Sequence, residues 1–394
     1  MKQDDIVIVA GMRTPTGALL GNLSSLTAPD LAAVAHRAVL DTTHIDARDI
    51  DEIITGCVLQ AGIGQAPARQ AAIKAGIPDS VGASTLNKMC GSGLKSVMLA
   101  RDLIAAGSAD IVIAGGMESM SNAPYLLSKA RAGYRLGHGE IKDHLFLDGL
   151  EDAYDHGKLM GYFAEETAKK FNITRGAQDE FAALSMRRAL DAQKAGYFKS
   201  EIAPVTITDR KGSHVIHLDE APDENKLLKI PNLKPAFRAD GTVTAANSSS
   251  IADGAASLLL MTAANSEQRG LKPLARIVAQ STFAQEPAWF TTAPITAISR
   301  VLNKAGWTPN DVDLYEINEA FAVVAMVAIS ELKLDIEKVN IHGGSCALGH
   351  PIGASGARIL VTLIHALRQH QKKRGVASLC IGGGEAVAMA IELD

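Results

Sequence analysis

The chain has 394 residues, 47% hydrophobic and 21% charged, a composition that fits a large globular core of two or more domains. A formal charge of −4 argues against general nucleic-acid binding, and four cysteines far apart in sequence argue against a disulfide framework or clustered zinc ligands. No basic or Arg-rich leader pattern precedes the strand-like Ile6–Ala10, and the apolar runs stop well short of the roughly 18 residues that span a bilayer. A reducing cytosol fits these features best.

After the first strand, Ala35 to Gly56 reads as an amphipathic helix, a polar turn and a buried strand. Next comes N-K-M-C-G-S-G-L-K-S, Asn87 to Ser96, which sets Cys90 between a turn and a helix predicted over Leu94–Ala106. A cysteine there faces unpaired N–H groups and the positive end of the helix dipole, which favour the thiolate. Gly91 and Gly93 leave room for a bulky substrate. Taken alone, such a cysteine is more often packing than a nucleophile. The apolar segment Ala109–Ala114 follows and ends in Gly115-Gly116-Met117-Glu118.

The stretch from Met117 to about Asn247 carries loops, two amphipathic helices (Gly161–Phe171 and Ala177–Gly196) and a polar section, Thr208–Pro235. Its charge is balanced, with 18 basic and 18 acidic residues over Ser121–Asp240, so the excess negative charge lies elsewhere. Beyond it the chain repeats itself. Ala297–Asn318 matches Ala35–Gly56 at an offset of 262, and Ser378–Glu385 matches Ile111–Glu118 at an offset of 267. Two aligned segments in the same order point to a duplicated α/β unit, with mostly parallel pairing and two similar sheets about a pseudo-twofold axis. By this alignment the strand end carrying Cys380 is the counterpart of Ala114.

Near the C-terminus, Asn318-Glu319-Ala320-Phe321-Ala322 ends a strand and begins an apolar helix, which Asn318 by default would cap. Asn340–Arg358 packs six Gly or Pro residues around His350, with Pro351 fixing the backbone behind it. Such a histidine is held by backbone and is a candidate base. Cys380 stands just before Gly382-Gly383-Gly384. No G-x-G-x-x-G follows the first strand, so there is no dinucleotide fingerprint.

Together, N-K-M-C-G-S-G, N-E-A-F-A, G-H-P-I-G-A-S-G-A-R and C-I-G-G-G resemble, in unbroken order, the signatures of the thiolase family. The resemblance implies the thiolase fold, an α/β architecture of two duplicated halves with a loop-domain insertion over the active site. The expected division is 1–120 (completed by about 247–272), 121–246 and 273–394. It implies reversible Claisen condensation of two acetyl-CoA to acetoacetyl-CoA and CoA through an S-acetyl cysteine. The alternative is a degradative 3-ketoacyl-CoA thiolase for longer chains.

By position, the resemblance makes Cys90 the nucleophile, His350 its base and Cys380 the second acid/base. Asn318 would hold a water that completes an oxyanion hole with His350, while the N–H groups of Cys90 and Gly382 form another. Ser249, Phe237, Phe321, Ala320 and Met160 would contact the pantetheine arm or acyl group, and Cys57 and Cys346 would only pack. The chain departs from the family pattern at Leu159, where many acetoacetyl-CoA thiolases have histidine, and at Phe290, which replaces a methionine. His156 stands nearby but out of register. No arginine matches the nucleotide end; Lys226 or Lys229 are its candidate substitutes. No cofactor beyond CoA substrates, no metal, no membrane and a homodimer or homotetramer are expected.

Overall fold

The computed structural model describes residues 1–210 and 212–394; Lys211, in the polar section, lies outside them. One sheet runs in the order Gly82–Leu86, Glu52–Gly56, Val112–Ser119, Ala252–Thr262, Ile6–Arg13. It continues into Ala275–Ala284, Glu385–Glu392, Arg374–Ile381 and Leu314–Ile317. Within the sheet the two halves pair at Val7–Arg276 and Ile8–Ala275.

Four strands of the second half repeat four of the first; Gly82–Leu86, at the first half's edge, has no counterpart among the described strands. Glu52–Gly56 pairs in parallel with Val112–Ser119, as Leu314–Ile317 does with Arg374–Ile381. Each inner strand then pairs antiparallel with a returning strand, Ala252–Thr262 or Glu385–Glu392. Each returning strand pairs antiparallel with the strand that opens its half. Parallel pairing is thus confined to the outer strands, where helices supply the crossovers, and the middle of the sheet is antiparallel.

The second repeat match needs a correction. Ladder register sets Ala114 opposite Ile54 and Ala377 opposite Glu316. The structural counterpart of Ala114 is therefore Ala377, not Ile381 at the strand end that carries Cys380. The glycines misled the alignment: Gly115 and Gly116 lie inside a strand, whereas Gly382–Gly384 form a tight turn with positive φ at Gly383 and Gly384.

Alternation along the strands gives the sheet two apolar faces. Ile6, Ile8, Val387, Met389 and Ile391 face one cluster with Leu94, Val97, Ile359 and Leu363. Val7 and Val9 pack with Ala33 and Val39 of the helix Ala28–Thr43, while Ala386, Ala388 and Ala390 pack with Ala297 and Val301 of the helix Ala293–Ala305. The helices Ser92–Ala105 and Ser355–Gln369 are thus held between the two halves. They touch at backbone distance: a methyl added at Gly356 would stand 2.4 Å from Leu94 N, and one at Gly93 2.7 Å from Ala357 N.

The stretch between Met120 and Ala252 carries the hairpin Tyr125–Leu127/Ile141–Asp143, the helices Met160–Lys170 and Arg175–Ala195, and the hairpin Val205–Asp209/Gly212–Ile216. Buried Arg13 fastens it to the first strand. Its guanidinium forms a two-bond clamp on Asp219 (2.7 and 2.9 Å) and a bond to Glu201 (2.5 Å). Replacing Gly356 by Val forces the two facing helices apart. We expect a loss of about 3 kcal/mol in urea unfolding, since overpacked backbone contacts cannot relax; an unchanged midpoint would show that the contact is dispensable.

Candidate active site

Cys90 stands at the turn leading into the helix Ser92–Ala105, and local polar groups fix that turn. Asn87 Oδ1 accepts from Met89 N (2.9 Å), Ser92 Oγ accepts from Lys88 N (2.8 Å), and Met89 adopts φ +46°. A left-handed residue before the cysteine is strained backbone held by its surroundings. His350 comes from the loop before the facing helix, and its N–H donates to Ser250 O (2.9 Å). Glu118, buried in the first half, ties this loop to the strand end beside Cys90. It accepts from Val58 N and Leu59 N (both 3.1 Å) and from Gly353 N (2.9 Å).

One cavity of about 370 Å³ gathers the expected residues. It is lined by Cys90, His350, Cys380 and Gly382, and by Leu159, Met160, Phe237, Ser249, Phe290, Ala320 and Phe321. Phe237 and Phe321 meet edge to face at 6.0 Å, and a methyl on Gly161 would collide with the Phe237 ring. Asn318 does not line the cavity; it is buried, with Ser345 Oγ donating to its Oδ1 (2.6 Å). A second cavity of about 300 Å³ shares Ala245 and Ser250 with the first and carries Lys226 and Lys229. His156 is exposed and stands 3.9 Å from Glu151, outside the cavity. Sequence reading missed Phe146 and Leu150, which no motif marks, and Ile352, which stands inside G-H-P-I-G-A-S-G-A-R without a role assigned to it; all three also line the cavity.

The charge states reverse one expectation. Burial pushes the Cys90 thiol up to about 11, against the N–H groups of Gly382 and Cys90 itself, which stabilise a thiolate. Desolvation outweighs the helix start, so Cys90 rests as a thiol. Burial likewise raises Cys380 well above the usual thiol range, reinforced by the neighbouring Cys90. Burial, then the charge of Arg358, drives His350 down to about 3. Its Nδ1 meets Ser355 Oγ at 2.5 Å, and Ser355 donates its own proton to Pro351 O (2.9 Å). The proton therefore sits on Nδ1, and Nε2, buried without a partner, carries the lone pair. A neutral imidazole with a bare nitrogen can take a thiol proton. Among the described residues, no group of three or more His, Cys, Asp or Glu could hold a metal ion, and no helix is long and apolar enough to cross a membrane.

A duplicated α/β fold with this pocket defines an enzyme that transfers acyl groups. The chain belongs to the thiolase family: the signature described as "Thiolase, N-terminal domain" matches residues 6–264, and "Thiolase, C-terminal domain" matches 271–393. It is 50% identical over 390 residues to the acetyl-CoA acetyltransferase of Cupriavidus necator, covering 98% of this chain and 99% of that one. It is 49% identical over 392 residues to the cytosolic acetyl-CoA acetyltransferase of Mus musculus, covering 99% and 98%. The crystal structure of the Bacillus anthracis acetyl-CoA acetyltransferase superposes with a TM-score of 0.97 at 42% identity, covering 100% of this chain and 99% of that chain.

The thiol state is checked by iodoacetamide labelling with peptide mapping. Alkylation of Cys90 should keep rising from about pH 7 to about pH 10, as the thiolate fraction grows. A rate already level at about pH 7 would mean a depressed thiol.

Proposed function

We propose that the protein is an acetyl-CoA C-acetyltransferase that condenses two acetyl-CoA to acetoacetyl-CoA and CoA, reversibly and by a ping-pong route. The observation that carries this reading is the meeting of Cys90, His350 and Cys380 in one apolar pocket. His350 Nε2 takes the Cys90 proton, and the thiolate attacks the thioester carbonyl of the first acetyl-CoA. The oxyanion is met by the N–H groups of Cys90 and Gly382, CoA leaves as its thiol by taking the Cys380 proton, and Cys90 carries the acetyl group. The Cys380 thiolate so formed removes an α-proton from the second acetyl-CoA, whose enolate oxygen is met by protonated His350 and by a water held by Asn318. The carbanion attacks the acetyl thioester on Cys90, forming the new C–C bond, and the departing Cys90 thiolate takes back the proton that His350 holds.

Phe237, Phe321, Ser249, Met160 and Ala320 form the channel for the pantetheine arm, and Lys226 and Lys229 suit the phosphates of CoA. Bulky Leu159 and Phe290 favour a short acyl group over longer 3-ketoacyl chains. In this reading, 121–246 is the loop domain over the site, between halves formed by 1–120 with 247–272 and by 273–394.

A cytoplasmic setting is supported by four free cysteines and by the mouse relative's description as cytosolic. A homotetramer is supported by two surfaces. The strand Gly82–Leu86 pairs on one side only among the described residues, and an open edge invites a second copy. The hairpin at Tyr125–Asp143 leaves Leu127 and Ile141 exposed, with Leu136 fully so. Leu127→Asp with Leu136→Asp should halve the sedimentation mass without loss of activity; an unchanged mass would remove the hairpin from assembly.

Thiolysis of acetoacetyl-CoA by CoA tests the activity, with 3-ketooctanoyl-CoA alongside; preference for the longer substrate would overturn the short-chain reading. Cys90→Ser should lose S-acetylation, whereas Cys380→Ser should keep it and slow the C–C step by about 100-fold or more. Equal loss of acetylation in both variants would overturn the division of roles.

A further inference from the structure

We propose that Ser345, backed by Arg358, is a positioning residue that fixes the Asn318 amide for the carbon–carbon step. The inference rests on the function proposed above and concerns side chains that none of the four motifs explains together. Asn318, Ser345 and Arg358 are all buried. Ser345 Oγ donates to Asn318 Oδ1 at 2.6 Å, and Arg358 Nη2 donates to Ser345 Oγ at 3.3 Å. A guanidinium has no acceptor, so Arg358 can only donate, and the serine proton is left for the amide oxygen.

This matters because the two ends of a primary amide have nearly the same shape. Packing alone does not distinguish oxygen from nitrogen. The serine does: its hydroxyl donates to Oδ1 and leaves Nδ2 as the free donor. Asn318 Nδ2 and His350 Nε2 are both buried polar atoms without a partner. They are the donors that a developing enolate oxygen needs, reached directly or through one water. His350 donates from Nε2 once it has taken the Cys90 proton. A flipped amide would set a carbonyl oxygen against that negative charge.

The serine is itself well fixed. It opens the four-residue helix Ser345–Leu348, where Gly344 N donates to Ser185 Oγ (2.9 Å) and Cys346 N to Glu319 Oε2 (3.1 Å). The cation behind it polarises the chain guanidinium, hydroxyl, amide, and so strengthens the N–H at its far end.

The test separates the two half-reactions in the full-length enzyme. Exchange of labelled CoA into acetyl-CoA reads acylation of Cys90 alone; thiolysis of acetoacetyl-CoA reads the C–C step. Ser345→Ala should lower kcat for thiolysis by about 10- to 100-fold, the scale of one lost buried hydrogen bond, and leave exchange nearly unchanged. Ser345→Thr, which keeps the hydroxyl, should restore most of the rate. In an Asn318→Ala background, Ser345→Ala should cost almost nothing more, because it acts through that amide. Equal losses in exchange and thiolysis, or full additivity with Asn318→Ala, would overturn the positioning role. A wild type inert in both assays would instead overturn the acetyltransferase reading, and the role with it.

Discussion

The pocket depends on two helices that come to backbone distance where they cross. Gly93 and Gly356 bring the helices Ser92–Ala105 and Ser355–Gln369 to backbone contact, and Gly116 comes as close to the loop at Gly353. Close-packed interiors transmit small displacements, so this contact sets the distance between what the two helices present. One presents Cys90 from the turn at its start. The other presents His350 from the loop before it. The duplicated sheet then supplies Cys380 at the end of its own inner strand. A methyl group at the contact would move one partner of the pair against the other.

The same burial explains why the site needs a base. Glu118, with three backbone donors, stitches the two halves together, yet burial pushes even its carboxyl up to about 7. In this environment a thiolate at rest is costly, and the helix start offsets only part of that cost. The neutral His350, its proton held on Nδ1 by Ser355, offers its bare nitrogen to the pocket. In the proposed function the chemistry is thus arranged as proton transfer between neutral groups, with fixed N–H donors waiting where charge develops.

Much of this was legible in the sequence because it is local. The turn before Cys90, the Gly/Pro loop around His350 and the glycine turn after Cys380 each carry their signal within a dozen residues, and the residues they mark share one cavity. The helix–turn–strand repeat was equally plain, since ladder register preserves it. What was not legible depends on partners distant in sequence. Ser355 and Ser345 read as small residues in a tight loop until His350 and Asn318 are set beside them. The resting state of Cys90 depends on desolvation by every element around it, which no helix-start rule contains. The slip in the second repeat arose where the first half leaves its inner strand for a long insertion and the second turns back at once. Glycines in a strand and glycines in a turn look alike in sequence.

The account is tested most directly by the structure of crystals frozen after brief exposure to acetyl-CoA. It predicts an acetyl group on Cys90 Sγ, its carbonyl oxygen between the N–H groups of Cys90 and Gly382. The methyl carbon of a second acetyl-CoA should face Cys380, with its thioester oxygen toward His350 Nε2 and the Asn318 amide nitrogen. An acetyl group on Cys380, or a carbonyl oxygen turned away from Gly382, would contradict it.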